Sequence, residues 1–330
     1  MNRSARTRES ADAPVLAVEG LTKMYGRKKA VSDISFSARR SELIGLLGPN
    51  GAGKSSTLRM IAGCLAPTAG HVRVAGFDVA EQPGEAKSLV GYLPEVPPLY
   101  PDMTVGEYLR FAGELKKAPG GRRGAGDDAV RMEGLAAALE IGGLMSVLIR
   151  SLSKGYRQRV GIAASLAGRP ALLLLDEPAS GLDPRQAADL RALLRRVSAD
   201  TAIVVSSHDL YEISSLCTRI IVMTEGRIAA DGRPGELAGT GGRRTEIEVS
   251  GDLRLAAEIL RACAGDSRID EIPAGEGRMG FVVHAGGADF RERIFRSFAA
   301  RGAEVSLNTL RSPETSLEDL FISLTNPEKA

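Results

Sequence analysis

A glycine-rich stretch in the first fifth of the chain has the residue types needed to bind phosphate. The sequence GPNGAGKSS at residues 48–56 matches the pattern G-x-x-x-x-G-K-[ST] without a gap. Glycines let backbone N–H groups close on phosphate oxygens, and the start of a following helix favours anions. Lys54 is expected to reach the β- and γ-phosphates of a nucleotide, and Ser55 to hold Mg²⁺. The predicted phosphate-binding residues are Gly48, Pro49, Asn50, Gly51, Ala52, Gly53, Lys54, Ser55 and Ser56.

Two adjacent acidic residues, Asp176 and Glu177, end the apolar run LLLLDEP at residues 172–178. A buried strand carries carboxylates at its end only if something compensates their charge. Mg²⁺ bound by Asp176 supplies that compensation, and Glu177 is then placed to orient and deprotonate an attacking water. Two acids at an exposed strand end are the alternative, which the nearby phosphate-binding pattern disfavours.

A histidine and a tyrosine are further candidates for nucleotide contacts. His208 ends the apolar run that precedes SSHD at residues 206–209. At the carboxyl edge of a parallel sheet it would face the phosphates, so we predict a γ-phosphate contact and a catalytic role, although a lone histidine is more often structural. Tyr25 in KMYG is either a stacking surface for adenine or an ordinary half-buried aromatic residue.

The elements that must position these residues alternate between strands and helices. Apolar strands are predicted at 41–48, 171–178 and 201–208, and helices at 54–65 and from Pro184 to about Val197. This alternation predicts a parallel sheet with its functional residues at the strand ends. Between about 85 and 155 the pattern is mainly helical.

Beyond the sheet, the composition changes at residues 238–244, AGTGGRR, which we predict to be a linker. The residues that follow alternate in the order β-α-β-β-α-β, a split βαβ unit, and TSLEDLFISL should form a final helix. The polar, Arg-rich residues 1–14 are predicted to be a disordered tail.

The composition narrows the class of protein. With 330 residues and 43% hydrophobic content, the chain has enough apolar residues for two domains. The formal net charge is only +2, so no nucleic-acid partner is expected. Its apolar runs are far shorter than the roughly 20 residues needed to span a bilayer, and its start lacks the apolar segment of a signal peptide.

Taken together, these motifs and their order resemble the ATP-binding-cassette (ABC) ATPase family from about residue 15 to 235. The resemblance rests on GPNGAGKSS, LSKGYRQR, LLLLDEP, SGLD and His208, in family order. In the family, LSKGYRQR occupies the signature motif, which binds the γ-phosphate of ATP held by a second subunit. Ser153 and Gly155 match that motif, whereas Lys154 and Tyr156 replace its usual glycine and glutamine. A capped start of a surface helix is the alternative interpretation.

Another departure from the family falls in VGYLPEVPPLY at residues 90–100, where Glu95 replaces the usual glutamine. A carboxylate there can still ligate Mg²⁺, but it adds negative charge near the phosphates. The stretch GYLPE and the ending TSLEDLFISLT resemble a subgroup whose partners are exporter-type permeases, including subunits assigned to gliding motility and copper-site processing.

The resemblance implies an α/β fold of the P-loop NTPase type: a RecA-like parallel sheet core, antiparallel strands and a helical subdomain at about 96–160. This ATPase domain would span 15–237, followed by a small α+β domain at 245–325. Two copies would sandwich two ATP–Mg²⁺ at the cytoplasmic face of the membrane and drive a separate polytopic permease, with export as the direction. The predicted catalytic residues are Lys54, Glu177 and His208, the nucleotide contacts include Tyr25, Glu95, Ser153 and Gly155, and the Mg²⁺ ligands are Ser55, Asp176 and Glu95.

The rival interpretation is a soluble ABC ATPase acting on ribosomes or DNA. Such proteins usually show two fused cassettes or a long coiled-coil insertion, neither of which is present in this sequence.

Overall fold

The computed structural model describes residues 13–116, 125–240, 245–275, 277–285, 288–302, 304–311 and 317–325. Most of the predicted tail (1–12) and the second part of the predicted linker (241–244) lie outside the described residues. The chain divides into two units between Gly232 and Arg233.

The first unit contains ten strands and seven α-helices among the described residues. In chain order they are β1 (Leu16–Tyr25), β2 (Lys28–Ala38), β3 (Leu43–Leu47), α1 (Lys54–Ile61), β4 (Ala69–Val74), β5 (Phe77–Asp78), α2 (Pro83–Ser88), β6 (Val90–Leu93), α3 (Val105–Leu115), α4 (Ala125–Ala138), α5 (Lys154–Leu166), β7 (Leu172–Asp176), α6 (Pro184–Val197), β8 (Ala202–Ser207), α7 (Leu210–Leu216), β9 (Arg219–Thr224) and β10 (Arg227–Gly232). Short 3₁₀ turns at Gly142–Leu144 and Ile149–Ser151 lie between α4 and α5.

A six-stranded sheet, in the order β10-β9-β3-β8-β7-β6, carries the candidate catalytic residues. Its neighbours are parallel except for the β9–β10 pair. Every residue of β3, β7 and β8 is buried, because strands of a parallel sheet are covered on both faces. The predicted alternation of strands and helices is confirmed, and the carboxyl ends of β3, β7 and β8 meet at one edge.

A second sheet, β2-β1-β4-β5, is antiparallel. Its buried side chains form one apolar core with those of α1 and the parallel sheet, including Leu16, Ile34, Ile44 and Leu58. Each such side chain stabilises the fold by about 1.5–3 kcal/mol relative to an exposed position. This core fixes the position of β3, and therefore of the loop that follows it.

Helix α1 ends at Ile61, four residues before the predicted end. Gly63 adopts a left-handed conformation with φ of 68°. The N–H of Cys64 donates to the carbonyl of Arg59, and that of Gly63 donates to the carbonyl of Met60. These two bonds form a Schellman cap, which satisfies the last helical carbonyls and stops the helix there.

The second unit begins with α8 (Pro234–Thr240) and continues with β11 (Thr245–Gly251), α9 (Leu253–Ala264), β12 (Ile269–Pro273), β13 (Arg278–Val283), α10 (Ala288–Ala299), β14 (Val305–Arg311) and α11 (Leu317–Thr325). Its antiparallel sheet has the order β12-β13-β11-β14. The predicted order β-α-β-β-α-β and the final helix are confirmed.

An apolar cluster that includes Ile247, Leu260, Phe281 and Ile294 forms the core of this unit, and α8 packs against α11. Among the described residues of the chain, no helix is both long enough and apolar enough to cross a membrane.

Candidate active site

The loop between β3 and α1 is shaped by glycines. A Cβ on Gly48 would collide with the carbonyl oxygen of Met223, so the backbone approaches too closely for any side chain. Gly51 and Gly53 have φ of 84° and 101°, in the left-handed region that glycine adopts without strain. Gly53 precedes the first residue of α1, so the loop ends at a helix N-terminus, where free N–H groups favour an anion.

Lys54 is held inside this loop. Its side chain is 6% exposed, and its ammonium donates to the carbonyl oxygens of Gly48 (2.7 Å) and Pro49 (3.3 Å). The same ammonium lies 3.6 Å from Glu177 Oε1. A buried ammonium needs such partners because water is excluded from it. The cation is therefore positioned at the mouth of the loop with acceptors that phosphate oxygens can replace.

Asp176, at the end of β7, is fully buried. Its Oδ1 accepts hydrogen bonds from Ser55 Oγ (3.0 Å) and Ser206 Oγ (2.6 Å). Its Oδ2 is buried without a hydrogen-bond partner among the described residues. A buried carboxylate oxygen left unpaired is costly, so Oδ2 is a candidate ligand atom for a cation. The hydroxyl of Ser55 and a carboxylate oxygen are hard ligands of the type that Mg²⁺ prefers, so these residues fit that ion.

Ser206 was not predicted from the sequence. It lies opposite Asp176 in the parallel pairing of β7 and β8. Besides its bond to Asp176, its hydroxyl accepts a hydrogen bond from the N–H of Glu177 (3.0 Å). The serine thus orients both acids, and the signal for it, a polar residue near the end of an apolar strand, was present in SSHD.

Glu177, directly after β7, and His208, directly after β8, form a pair at the carboxyl edge of the parallel sheet. His208 Nδ1 lies 3.0 Å from Glu177 Oε2, with the histidine side chain 61% exposed and the glutamate 12%. Glu177 has a φ of 48°, a left-handed conformation that costs a non-glycine residue roughly 1–3 kcal/mol and persists where neighbours enforce it. Its nearly buried carboxylate, with one oxygen oriented by an imidazole, is suited to accept a proton from water.

Glu212 is a second residue that was not predicted from the sequence. Its carboxylate accepts a hydrogen bond from Ser207 Oγ (2.8 Å), and the same hydroxyl accepts one from the N–H of Asp209 (3.0 Å). Burial raises the pKa of Glu212, and the negative charges of Asp209 and Glu177 raise it further. The bonds tie the residues on either side of His208 to α7.

An open cleft of about 390 Å³ brings together most of the predicted residues. Its lining comprises Tyr25, Lys28, Ala30, Asn50, Gly51, Ala52, Gly53, Lys54, Ser55, Ser56, Glu95, Glu177, Ser180 and His208. Tyr25 is 47% exposed, so its ring is available for stacking. Glu95 lies in the loop after β6. This loop is distant from the glycine-rich loop in sequence, but Glu95 lines the same cleft.

Ser153 and Gly155 do not line this cleft. Ser153 is exposed and caps α5, where its Oγ accepts a hydrogen bond from the N–H of Tyr156 (3.4 Å). A Cβ on Gly155 would lie 2.8 Å from Gln186 Oε1, so α5 packs tightly on the start of α6. The structure therefore displays the Ser153 helix terminus at the surface, apart from the chain's own cleft.

Comparisons with known proteins agree with this geometry. The ABC transporter family profile matches residues 31–180. The Nod factor export ATP-binding protein I of Ralstonia nicotianae is 35% identical over 316 residues, 96% of this chain and 95% of the relative. The linearmycin resistance ATP-binding protein LnrL of Bacillus subtilis is 30% identical over 94% of this chain and 98% of its own.

A solved structure of the ATP-binding subunit of an ABC transporter superposes with a TM-score of 0.62 and 28% identity, covering 68% of this chain and 91% of that one. The two relatives are matched across nearly their whole length, so the similarity includes the second unit as well as the sheet. The predicted P-loop NTPase fold and the predicted ATPase activity are both confirmed at the level of the family. The chain therefore belongs to the ATP-binding proteins of the ABC transporter family.

Proposed function

We propose that the chain works as a homodimer that closes on two ATP–Mg²⁺, and that opening after hydrolysis drives a separate polytopic permease at the cytoplasmic face of the membrane. The observation that carries this proposal is the split arrangement of the site. The cleft holds Lys54 and Glu177 but is open to solvent, whereas Ser153 and the N-terminus of α5 are exposed elsewhere on the same chain. A head-to-tail pair of chains would place each exposed terminus over the other chain's cleft.

In this proposal, residues of the cleft bind the nucleotide and its metal ion before hydrolysis. Tyr25 stacks on adenine, and the N–H groups of the glycine-rich loop bind the phosphates. Lys54 exchanges its carbonyl partners at Gly48 and Pro49 for phosphate oxygens. Ser55 and Asp176 would hold Mg²⁺, with Glu95 in the loop after β6 as a further ligand. When bound, the ion neutralises phosphate charge.

The proton of the attacking water passes to Glu177 Oε. The carboxylate is nearly buried, and its Oε1 lies 3.6 Å from the ammonium of Lys54. His208 fixes the orientation of the carboxylate through the Nδ1–Oε2 contact, and its exposed ring edge is available to the γ-phosphate. Closure of the dimer would exclude other water and strengthen these interactions.

Export is the direction that the relatives favour, since one is named for Nod factor export and another for linearmycin resistance. The finer assignment to gliding-motility or copper-processing subunits stays a prediction.

A groove of about 360 Å³ in the first unit is the proposed contact surface for the permease. It lies among β6, α3 and α5 and is lined by residues that include Cys64, Lys87, Tyr92, Pro98, Tyr108 and Leu115. The β6 strand leads directly into the loop of Glu95, so a partner seated in this groove would lie next to the nucleotide cleft.

Co-purification tests the proposed function directly. The chain is expressed with the polytopic protein encoded beside it, and ATPase activity is measured in detergent and in lipid vesicles, with and without EDTA. We expect the two chains to co-elute, Cys64 to cross-link to the partner, and EDTA to stop turnover. A stable, ATP-hydrolysing chain that binds no membrane protein but sediments with ribosomes would support the rival function instead.

Glu95→Gln is expected to keep at least modest ATPase activity. Glu95 lines the cleft on a loop rather than at a strand end, and an amide retains an oxygen that can ligate Mg²⁺. Steady-state phosphate release at several Mg²⁺ concentrations measures the effect. A loss as deep as that of Glu177→Gln would make Glu95 the better candidate for the base.

A chain that ends at Gly232 is expected to bind ATP as the full chain does. The predicted domain boundary at 237 falls inside α8, which packs against α11 in the second unit, and Leu237 is buried. The cut is therefore best made before Arg233. Fluorescent ATP titration checks the affinity, with circular dichroism as the folding control; a folded chain that cannot bind ATP would contradict the assignment of 245–325 as accessory.

A further inference from the structure

Hydrogen bonds hold the residues on either side of His208. The hydroxyl of Ser207 donates to Glu212 Oε2 (2.8 Å), and the N–H of Asp209 donates to Ser207 Oγ (3.0 Å). The N–H of Glu212 in turn donates to Asp209 Oδ1 (3.3 Å). These three bonds close a ring that passes through the residues before and after His208 and leaves its imidazole outside. The ring therefore fixes the backbone from which the His208 side chain projects.

Helix α7, which carries Glu212, is anchored to the strand that leads into the glycine-rich loop. Ile213 is fully buried, and a Cβ on Gly45 of β3 would lie 2.4 Å from its Cγ2, so this side chain packs directly on the strand backbone. The N–H of Thr218, two residues after α7, donates to the carbonyl of Leu43 at the start of β3 (2.8 Å). Close-packed interiors allow little movement. The core therefore fixes the position of Glu212 relative to the phosphate-binding loop.

The carboxylate of Glu212 is half-buried and has acidic neighbours. Burial raises the pKa of Glu212, and the negative charges of Asp209 and Glu177 raise it further. The hydrogen bond from Ser207 and the charge of Arg191 act in the opposite direction. Stability alone does not favour a carboxylate at such a position, whereas closure of the ring requires an acceptor for the Ser207 hydroxyl.

We propose that Glu212 is a positioning residue for ATP hydrolysis, which acts through Ser207 to hold His208 against Glu177. The imidazole reaches the glutamate through its Nδ1, 3.0 Å from Oε2, while 61% of the histidine side chain is exposed. A side chain so exposed has few neighbours that limit its choice of rotamer, so its direction depends on the backbone that the ring fixes. This inference rests on the proposed roles of Glu177 as the base and of His208 as the residue that orients it.

Steady-state ATPase kinetics of the full chain test the proposal. Glu212→Ala opens the ring, and we expect kcat to fall about 2- to 10-fold, the scale of one hydrogen bond, with KM for ATP nearly unchanged. Ser207→Ala should cause the same loss, because it removes the same bond. Glu212→Gln should retain most of the kcat, since its amide oxygen can still accept a hydrogen bond from Ser207.

The His208→Ala chain shows whether Glu212 acts through the histidine. In that chain, adding Glu212→Ala should cause no further loss, because no imidazole is left to orient. Ser214→Ala is the matched control: it also removes a serine hydroxyl, one that donates to the carbonyl of Tyr211, and it should leave kcat unchanged. Circular dichroism checks folding, and if Glu212→Ala does not fold, Ser207→Ala decides the outcome.

Three results would overturn the proposal: a normal kcat in Glu212→Ala, an equally large loss in Glu212→Gln, or a further loss when Glu212→Ala is added to His208→Ala. The first two would show that the acceptor is not needed, and the third that Glu212 acts elsewhere in the fold. If His208→Ala itself hydrolyses ATP at the normal rate, the orienting role of His208 fails and this inference fails with it. If His208→Ala is slow while Glu212→Ala is normal, only this inference fails.

Discussion

Glu177→Gln is expected to bind ATP with near-normal affinity while hydrolysing it about 10²–10⁴-fold more slowly, the usual cost of losing a general base. The amide keeps the shape of the carboxylate, and its contacts with Lys54 and His208 involve oxygens, one of which the amide retains. Binding is therefore preserved, but the amide cannot accept the proton of water. Bound ATP should then hold two chains together, and a nucleotide-trapped dimer should accumulate.

Two measurements check this expectation: single-turnover hydrolysis, and the fraction of dimer after gel filtration with ATP. Glu81→Gln is the control, because it removes an exposed carboxylate outside the cleft. Turnover close to that of the unmodified chain in Glu177→Gln would exclude Glu177 as the base.

His208→Ala should also slow turnover, though less, because it removes the orienting contact while leaving the base in place.

Ser153→Arg and Lys54→Ala should each abolish ATPase activity, and mixed dimers of the two should recover part of it. Lys54→Ala removes the cation of the phosphate-binding loop, and Ser153→Arg places bulk and charge at the exposed end of α5. In a head-to-tail dimer, one site of the mixed pair carries both changes, while the other combines an intact Lys54 with an intact Ser153. Random pairing makes about half the dimers mixed, so roughly a quarter of the activity should return if the sites act independently.

Coupling between the two sites would lower the recovered ATPase activity. A purified mixed dimer therefore gives a clearer result than a random mixture of chains. Two affinity tags allow its isolation, and vanadate trapping reports how many sites reach the transition state. One trapped nucleotide per dimer is the expected result. If verified mixed dimers trap none while unmodified dimers do, the Ser153 motif does not act across an interface.

The sequence was sufficient to predict where residues lie when their position depends on local order along the chain. The glycine-rich loop and the acids at the end of β7 follow from a short pattern placed between a strand and a helix, and Lys54, Ser55, Asp176 and Glu177 meet as that pattern requires. The neighbouring strand brings in His208, because carboxyl ends of parallel strands share one edge.

Residues whose roles depend on pairing across the fold could not be predicted in this way. Ser206 reaches Asp176 through the register of β7 and β8, which the pattern of apolar residues does not fix. The close approach of Gly155 to Gln186 depends on how α5 packs against the start of α6. The end of α1 was misplaced because the backbone bonds of its Schellman cap outweigh helical spacing in the residues that follow.

The packing of α8 against α11 sets an order of events during synthesis. The first unit is complete once Gly232 has been made, whereas α8, which comes next, finds its partner only after residues 317–325 emerge. At about 5–20 residues per second, roughly 90 residues take about 5–20 s to translate. For that interval the nascent chain carries the residues of the nucleotide cleft, while residues 234–240 lack the segment against which they pack. ATP binding to the first unit is therefore able to precede folding of the second unit, and chaperones meet the chain before residues 234–240 are packed.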